Sequence, residues 1–339
     1  MRTTLTIGKL RGLQQIANHT GIFAMCAMDH RGSMQRMISP RNPGAINYET
    51  LVAYKRELCA ALALTSTAVL LDPLYGAAQV IASGVLPRDV GLLVSLEATG
   101  YTGDKGARFT ELLSGWGARK AKRMGASAAK LLVYYHPGLP EVAARQRGVV
   151  RRVVEDCARA NLPCLVEPVA YPIGDGEDAG ESARRKPGVV VGTARQITAL
   201  GVDVLKAEFP ADTSATLSTS LRYEQDESCL LIYCQRPDEA SLAPWVLLSA
   251  GVTFDEFAHQ VEIVCKAGAS GFLAGRAVWR EAMEITDGAE RRRWLGTVAA
   301  ERMRRLADIA GEHGRPWWEK WAASPAELAD VQEGWHASY

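Results

Sequence analysis

Lys206 lies near the end of a short apolar run, Val202 to Glu208. On a strand, successive side chains alternate between faces. Val202, Val204, Lys206 and Glu208 therefore share one side, and Asp203, Leu205, Ala207 and Phe209 the other. By the same alternation Lys130 lines up with Leu132 and Tyr134, and Glu167 with Leu165. If these faces point into one enclosed space, two ammonium groups and a carboxylate converge there. A strand lysine is ordinarily solvated or ion-paired, so Lys206 alone carries little weight. A second ammonium nearby changes its meaning. Like-charge repulsion and desolvation both disfavour the protonated amine and leave it able to attack a carbonyl. Glu167 would then move protons during carbinolamine dehydration and carbon–carbon bond cleavage. Asp29 and Glu208 qualify equally well as structural partners of the lysines.

A second set of residues suits an anion. Leu248-Ser249-Ala250-Gly251-Val252 leaves an apolar run through small residues whose backbone amides can approach a ligand closely. Leu273-Ala274-Gly275-Arg276-Ala277 does the same directly before a predicted helix, and Arg276 adds a charge. Together these segments read as a phosphate clamp. His19, His30, His136, His259, His313 and His336 show no ligand spacing such as His-x-x-x-His and no close cysteine partner. No metal site and no cofactor are therefore expected. His30 stands apart from the others because it adjoins Asp29.

Positioning these groups requires elements that bring their ends together. Short apolar runs alternate with helix-like segments, the pattern of a parallel α/β protein. Eight strands are predicted: Gly21 to Asp29, Ala68 to Leu71, Gly91 to Leu96, Ala128 to Tyr135, Cys164 to Glu167, Val202 to Glu208, Trp245 to Ser249 and Gly271 to Ala274. Helical spacing falls on Tyr48 to Leu64, Glu141 to Asn161, Val189 to Leu200 and Phe254 to Ala267. An open doubly wound sheet would announce a nucleotide through a glycine-rich first turn, but the first strand here ends in Asp29-His30-Arg31-Gly32. A closed (β/α)8 TIM barrel is the expected fold, with the rim at the carboxyl ends of the strands carrying Asp29, Glu97, Glu167, Lys206, Ser249 and Arg276. Gly174 to Pro187 is read as a polar rim loop. Residues 1–285 would form the barrel. Residues 286–339 would form a helical, Trp-rich extension, with Trp317, Trp318 and Trp321 packed on the barrel or at a subunit interface.

Composition narrows the classes. The 339 residues, 47% of them apolar, can bury a substantial core as one barrel. The 39 Lys and Arg balance 38 Asp and Glu, which argues against a nucleic-acid partner. No apolar run is long enough to span a bilayer, no secretion signal is evident, and no membrane partner is expected. The seven cysteines form no Cys-x-x-Cys pair, so neither a disulfide framework nor a zinc ribbon is suggested and a cytoplasmic location fits.

Several segments carry a family likeness. They are Met28-Asp29-His30-Arg31-Gly32, Leu70 to Gly76, Glu97-Ala98-Thr99-Gly100-Tyr101, Ala128 to Tyr135, Asp203-Val204-Leu205-Lys206-Ala207-Glu208, Leu248-Ser249-Ala250-Gly251 and Gly275-Arg276-Ala277-Val278-Trp279. The chain resembles the tagatose 1,6-bisphosphate aldolase family of class I aldolases, with the related sulfofructose phosphate aldolases. The resemblance implies a Schiff base on Lys206, acid/base work by Glu167, and contacts from Lys130 and Asp29 to the reacting end of a phosphorylated ketose. It further implies that Ser249, Ala250, Gly251, Gly275 and Arg276 hold one phosphate, and that His30 and Arg31 touch the substrate. A homo-oligomer is expected. The family commonly has glutamine where this chain has His30, which leaves the exact sugar open. The expected reaction is reversible cleavage of a ketose 1,6-bisphosphate to dihydroxyacetone phosphate and glyceraldehyde 3-phosphate. One alternative keeps the chemistry with a 6-deoxy-6-sulfofructose 1-phosphate, although the Trp-rich tail looks more like the bisphosphate enzymes. An alternative of another class is a non-catalytic sugar-phosphate sensor.

Overall fold

A computed structural model describes residues 4–173, 179–211, 227–337 and 339. Eight parallel strands close into a barrel: β1 (Phe23–Ala27), β2 (Ala68–Leu71), β3 (Gly91–Ser95), β4 (Ala128–Tyr134), β5 (Cys164–Val169), β6 (Val204–Ala207), β7 (Trp245–Leu248) and β8 (Gly271–Ala274). Each strand pairs with its sequence neighbours, and β8 returns to β1. All eight expected strands are present, though several are shorter than their apolar runs. Asp29, Glu208 and Ser249 therefore sit just past strand ends, on the rim.

The alternation divides the core in two. Phe23, Met25, Ala27, Leu70, Leu93, Ala128, Leu165, Val204, Val246 and Leu273 fill the barrel interior. Their outward neighbours, such as Cys26, Val69, Val94, Leu131, Val166, Leu205 and Phe272, pack under the helices. Lys130, Glu167 and Lys206 have the same parity as Ala128, Leu165 and Val204, so they continue the inner face upward from an apolar plug. Below the plug the barrel floor is closed by Leu13, Ile16 and Trp317, and by a buried ion pair of Lys9 Nζ with Asp203 Oδ2 at 2.8 Å.

The helices Tyr48–Leu62, Pro140–Arg159 and Phe254–Lys266 match expectation within about two residues at each end. Asn47 and Thr253 cap the first and third through side-chain oxygens. The expected loop from Gly174 to Pro187 is corrected from residue 179 onward; residues 174–178 lie outside the described residues. The chain is helical over Ala179–Thr198 and carries Pro187 inside the helix. Buried Val190, Ala194 and Ile197 form an apolar stripe at helical spacing, and Glu181 with Arg185 supplies an i,i+4 ion pair at 3.0 Å. Packing and that pair together outweigh the bond the proline removes.

The helix Ala300–His313 packs on β1 and β8 and against the helix Phe254–Lys266. Its buried Met303, Leu306 and Ala310 join the same cluster as the barrel helices. Beyond it, Trp317 is buried and its backbone N–H donates to Gly21 O at 3.0 Å, while Trp321 Nε1 donates to Leu242 O at 2.7 Å. No helix among the described residues is long and apolar enough to cross a membrane.

The β8–β1 seam depends on a glycine. Gly271 lies opposite Phe23 with φ at +128°, and a Cβ there would sit 2.0 Å from the Phe23 carbonyl oxygen. Gly271→Ala is expected to destabilise the fold by about 3 kcal/mol. Urea unfolding would show a lowered midpoint; a midpoint equal to that of the parent chain would mean the seam tolerates a side chain.

Candidate active site

The strand ends gather charged groups that no single element could assemble. Lys130, on β4, is 2% exposed. Its ammonium meets Asp29 Oδ2 from the end of β1 at 2.9 Å, Glu97 Oε1 beyond β3 at 2.8 Å and Glu167 Oε2 on β5 at 3.0 Å. Glu167 Oε1 turns the other way and lies 2.7 Å from Lys206 Nζ on β6. Glu97 is held in turn: its Oε2 accepts Leu132 N–H at 3.1 Å, and its carbonyl accepts Arg31 Nη2 at 2.9 Å.

Electrostatics follow from this packing. Burial would raise the Asp29 carboxyl, but Lys130, reinforced by His30 and Lys206, holds it well below the usual carboxylate range. Burial also opposes ionisation of Glu167, and Lys130 and Lys206 together outweigh it, so its pKa is lowered. Burial works against the Lys130 ammonium as well, yet Asp29, Glu167 and Glu97 lift it well above the ordinary lysine value. Lys130 is thus held as a cation, and Glu167 rests as a carboxylate. Bare repulsion between the two lysines, the sequence-based argument, gives way to a bridge: Glu167 stands between them with one oxygen on each. Glu208 is placed differently. Its Oε2 accepts Ala170 N–H at 3.0 Å, and burial pushes its pKa up.

The anion-binding candidates lie across the barrel. Ser249 Oγ accepts Gly275 N–H at 3.4 Å. Ala250 and Gly251 both have positive φ, +46° and +88°, which turns the chain back over the rim. A Cβ at Gly251 would lie 3.4 Å from Arg276 Cζ, so the guanidinium rests against that turn. The helix expected after Gly275 is a single turn, Arg276–Trp279. The arginine and the turn amides, rather than a helix dipole, must supply most of the positive potential there.

His30 sits between the two regions. Its ring meets Trp279 edge-to-face at 5.0 Å, and Trp279 Nε1 donates to Ala27 O at 3.0 Å. His30 Nδ1 is 3.8 Å from Asp29 Oδ1. Burial pushes the imidazole down to about 4; Arg276, Lys55 and Lys206 act in the same direction, against Asp29.

These groups line one cavity of about 500 Å³, a size suited to a small ligand. Asp29, His30, Arg31, Lys130, Glu167, Lys206, Ser249, Ala250, Gly275 and Arg276 all face it; Gly251 does not, and touches it only through Arg276. Ser33 and Arg36, on the helix Gly32–Ile38, also line it and were missed. Their signal was faint, since that helix is too short to show periodicity. A second omission is the loop after β3, where Thr102–Gly103 pairs antiparallel with Arg108–Phe109 and Arg108 lies 4.8 and 4.9 Å from the rings of Tyr101 and Tyr171.

Comparison with known proteins follows the same lines. Residues 23–281 match the DeoC/LacD family aldolase pattern. The tagatose 1,6-diphosphate aldolase of Listeria monocytogenes serotype 4a (strain HCC23) is 31% identical over 332 residues, covering 94% of this chain and 96% of its own. Tagatose 1,6-diphosphate aldolase 1 of Streptococcus pyogenes serotype M3 (strain SSI-1) is 30% identical over 330 residues, covering 94% and 99%. Among solved structures, a Schiff base forming fructose-1,6-bisphosphate aldolase superposes with a TM-score of 0.55 at 20% identity, covering 89% of this chain and 99% of that one, a likeness of fold. With a pattern spanning most of the barrel and relatives aligned over nearly the whole chain, this protein belongs to the DeoC/LacD family of aldolases.

Proposed function

We propose that the chain reversibly cleaves a ketose 1,6-bisphosphate, such as tagatose 1,6-bisphosphate, to dihydroxyacetone phosphate and glyceraldehyde 3-phosphate, with Lys206 as the Schiff-base nucleophile. The observation that carries this reading is the Glu167 carboxylate, 2.7 Å from Lys206 Nζ and locked by Lys130 on its other oxygen. The names of the Listeria and Streptococcus relatives supply the substrate class.

In this scheme Glu167 takes a proton from Lys206, and the free amine adds to the C2 carbonyl. Glu167 returns the proton to the departing hydroxyl as water leaves, and an iminium forms. As a carboxylate again, it accepts the C4 hydroxyl proton while the C3–C4 bond electrons flow into the iminium. The aldehyde departs, Glu167 passes that proton to C3 of the enamine on Lys206, and hydrolysis of the resulting iminium restores the amine. Lys130 and Asp29 orient the hydroxyls of the reacting end. Arg276, Ser249 and the amides near Ala250, Gly251 and Gly275 hold the C1 phosphate, with His30 and Arg31 along the remainder of the sugar. Cys26, Cys59, Cys157, Cys164, Cys234 and Cys265 are buried free thiols, which supports a reducing cytoplasmic setting.

The iminium itself is the electron sink, so this route calls for no Lewis acid. Cleavage of tagatose and fructose 1,6-bisphosphates, followed through triose phosphate release, should be unaffected by EDTA. Lys206→Ala should lose about 10³-fold or more in kcat/KM, and Glu167→Gln about 10²–10⁴-fold in kcat. Full turnover by Lys206→Ala, or inactivation by EDTA, would refute the scheme.

A pH effect follows from His30, whose native value near 4 lies below its ordinary 6.5. Between those values the unfolded chain binds the proton more readily, so native stability falls as pH drops from about 6.5 toward 4, by up to roughly 3 kcal/mol. His30→Gln removes the titrating group, and its denaturant midpoint should decline less over that window. Parallel midpoint curves for the two proteins would rule the effect out.

A further inference from the structure

Lys55 occupies a position where its helix should carry an apolar side chain. Leu51, Leu58 and Cys59 surround it on the buried face of Tyr48–Leu62, and Lys55 itself is 0% exposed. Its ammonium meets three acceptors: Met28 O at 2.6 Å, His30 O at 2.7 Å and Asp72 Oδ2 at 2.6 Å. The two carbonyls accept hydrogen bonds, and Asp72 supplies the counter-charge as an ion pair. Asp72 is also fully buried, and its Oδ1 accepts the backbone N–H groups of Leu74 and Tyr75, both at 2.9 Å, so the pair ties the loop after β2 to the loop after β1.

The two carbonyls that Lys55 holds belong to the residues on either side of Asp29. Ladder bonding of this strand ends with Met28 N–H donating to Leu70 O at 2.7 Å. Past that point the chain would be free to turn, and Lys55 fixes the Met28–Asp29 and His30–Arg31 peptide planes that bracket this segment. The Asp29 carboxylate is then aimed at Lys130, 2.9 Å away, while its other oxygen faces His30. A buried ion pair is a poor way to gain stability, because desolvating each ion costs several kcal/mol and a well-packed apolar pair often does as well. Its advantage is direction: two charge-assisted bonds, from an ammonium anchored on Asp72, orient a segment that packing alone would leave loose.

We propose that Lys55, anchored by Asp72, is a positioning residue for the reacting end of the substrate, acting through the Asp29–His30 segment. The proposal rests on the reading of Asp29 as a substrate-orienting group. It is distinct from a role in folding, because Asp29 and His30, in the segment it holds, line the cavity.

The test uses the full chain with Lys55→Met/Asp72→Asn, which removes both charges so that neither is left buried alone. The expected result is a folded protein with kcat for the bisphosphate lowered about tenfold or more and KM changed by less than about threefold. In an Asp29→Asn background the same two substitutions should lower kcat by less than about twofold, because the group they position is already gone. Lys55→Gln/Asp72→Asn, which retains an N–H donor for the carbonyls, should recover part of the loss. A kcat near that of the parent chain, or an equal loss with and without Asp29, would overturn the proposal. Failure of both double variants to fold would assign Lys55 to the fold and overturn it too. The underlying reading is tested separately by Asp29→Asn alone. Unchanged kcat there defeats both, whereas reduced kcat there with an unaffected Lys55 pair defeats only this proposal.

Discussion

One ammonium organises this molecule's rim. Lys130 draws carboxylates from β1, the segment after β3 and β5 to a single point, at distances of 2.8 to 3.0 Å. Charges so well buried would be costly apart, and each is tolerated because the others are present. The arrangement also imposes a geometry: four strand ends must rise to the same level around the barrel. Strands paired in sequence order provide that, and the register that places Lys130 opposite Leu165, with Leu132 opposite Glu167, sets the two groups within reach. Loss of the cation would leave three carboxylates facing one another in a confined space.

Polarity at the rim separates two tasks. On the β4–β6 side, Lys130 rests as a cation and Glu167 as a carboxylate, so Lys206 faces an oxygen able to take a proton. On the β7–β8 side, Ser249, the turn at Ala250 and Gly251, and Arg276 form an uncharged cradle with one strong cation. A ligand with a carbonyl at one point and an anionic group nearby meets both at once. His30, kept neutral by burial and by surrounding cations, stands where the two regions join. Its ring is braced on Trp279, which is itself pinned to Ala27, so its placement follows the β1 and β8 ends rather than a mobile side chain.

Much of this was legible from residues alone. The eight strands declared themselves as short apolar runs, and alternation put Lys130, Glu167 and Lys206 on one interior face because their neighbours Ala128, Leu165 and Val204 were apolar. Other features depended on distance in space. That Lys130 would be shared by three carboxylates required knowing how far Asp29 and Glu97 overhang their strands. The helix from Ala179 hid behind Gly and Pro residues whose local preferences tertiary packing overrides. Lys55 was passed over because it falls within a helical apolar pattern, where a lone lysine reads as noise unless its acceptors are known. The C-terminal extension was expected to pack on the barrel or at an interface, but which strands the helix Ala300–His313 would meet, β1 and β8, was not written in its spacing.

The central claim is that Lys206, and not Lys130 or Lys55, forms the covalent adduct. Lys130 and Lys55 are each engaged by three acceptors, whereas among the described residues Lys206 faces a single carboxylate. Borohydride reduction of the protein with dihydroxyacetone phosphate, followed by peptide mass mapping, reads the site directly. The account predicts one irreversible adduct on the peptide containing Lys206. An adduct on Lys130 or Lys55, or an unmodified Lys206 under saturating ligand, would contradict it.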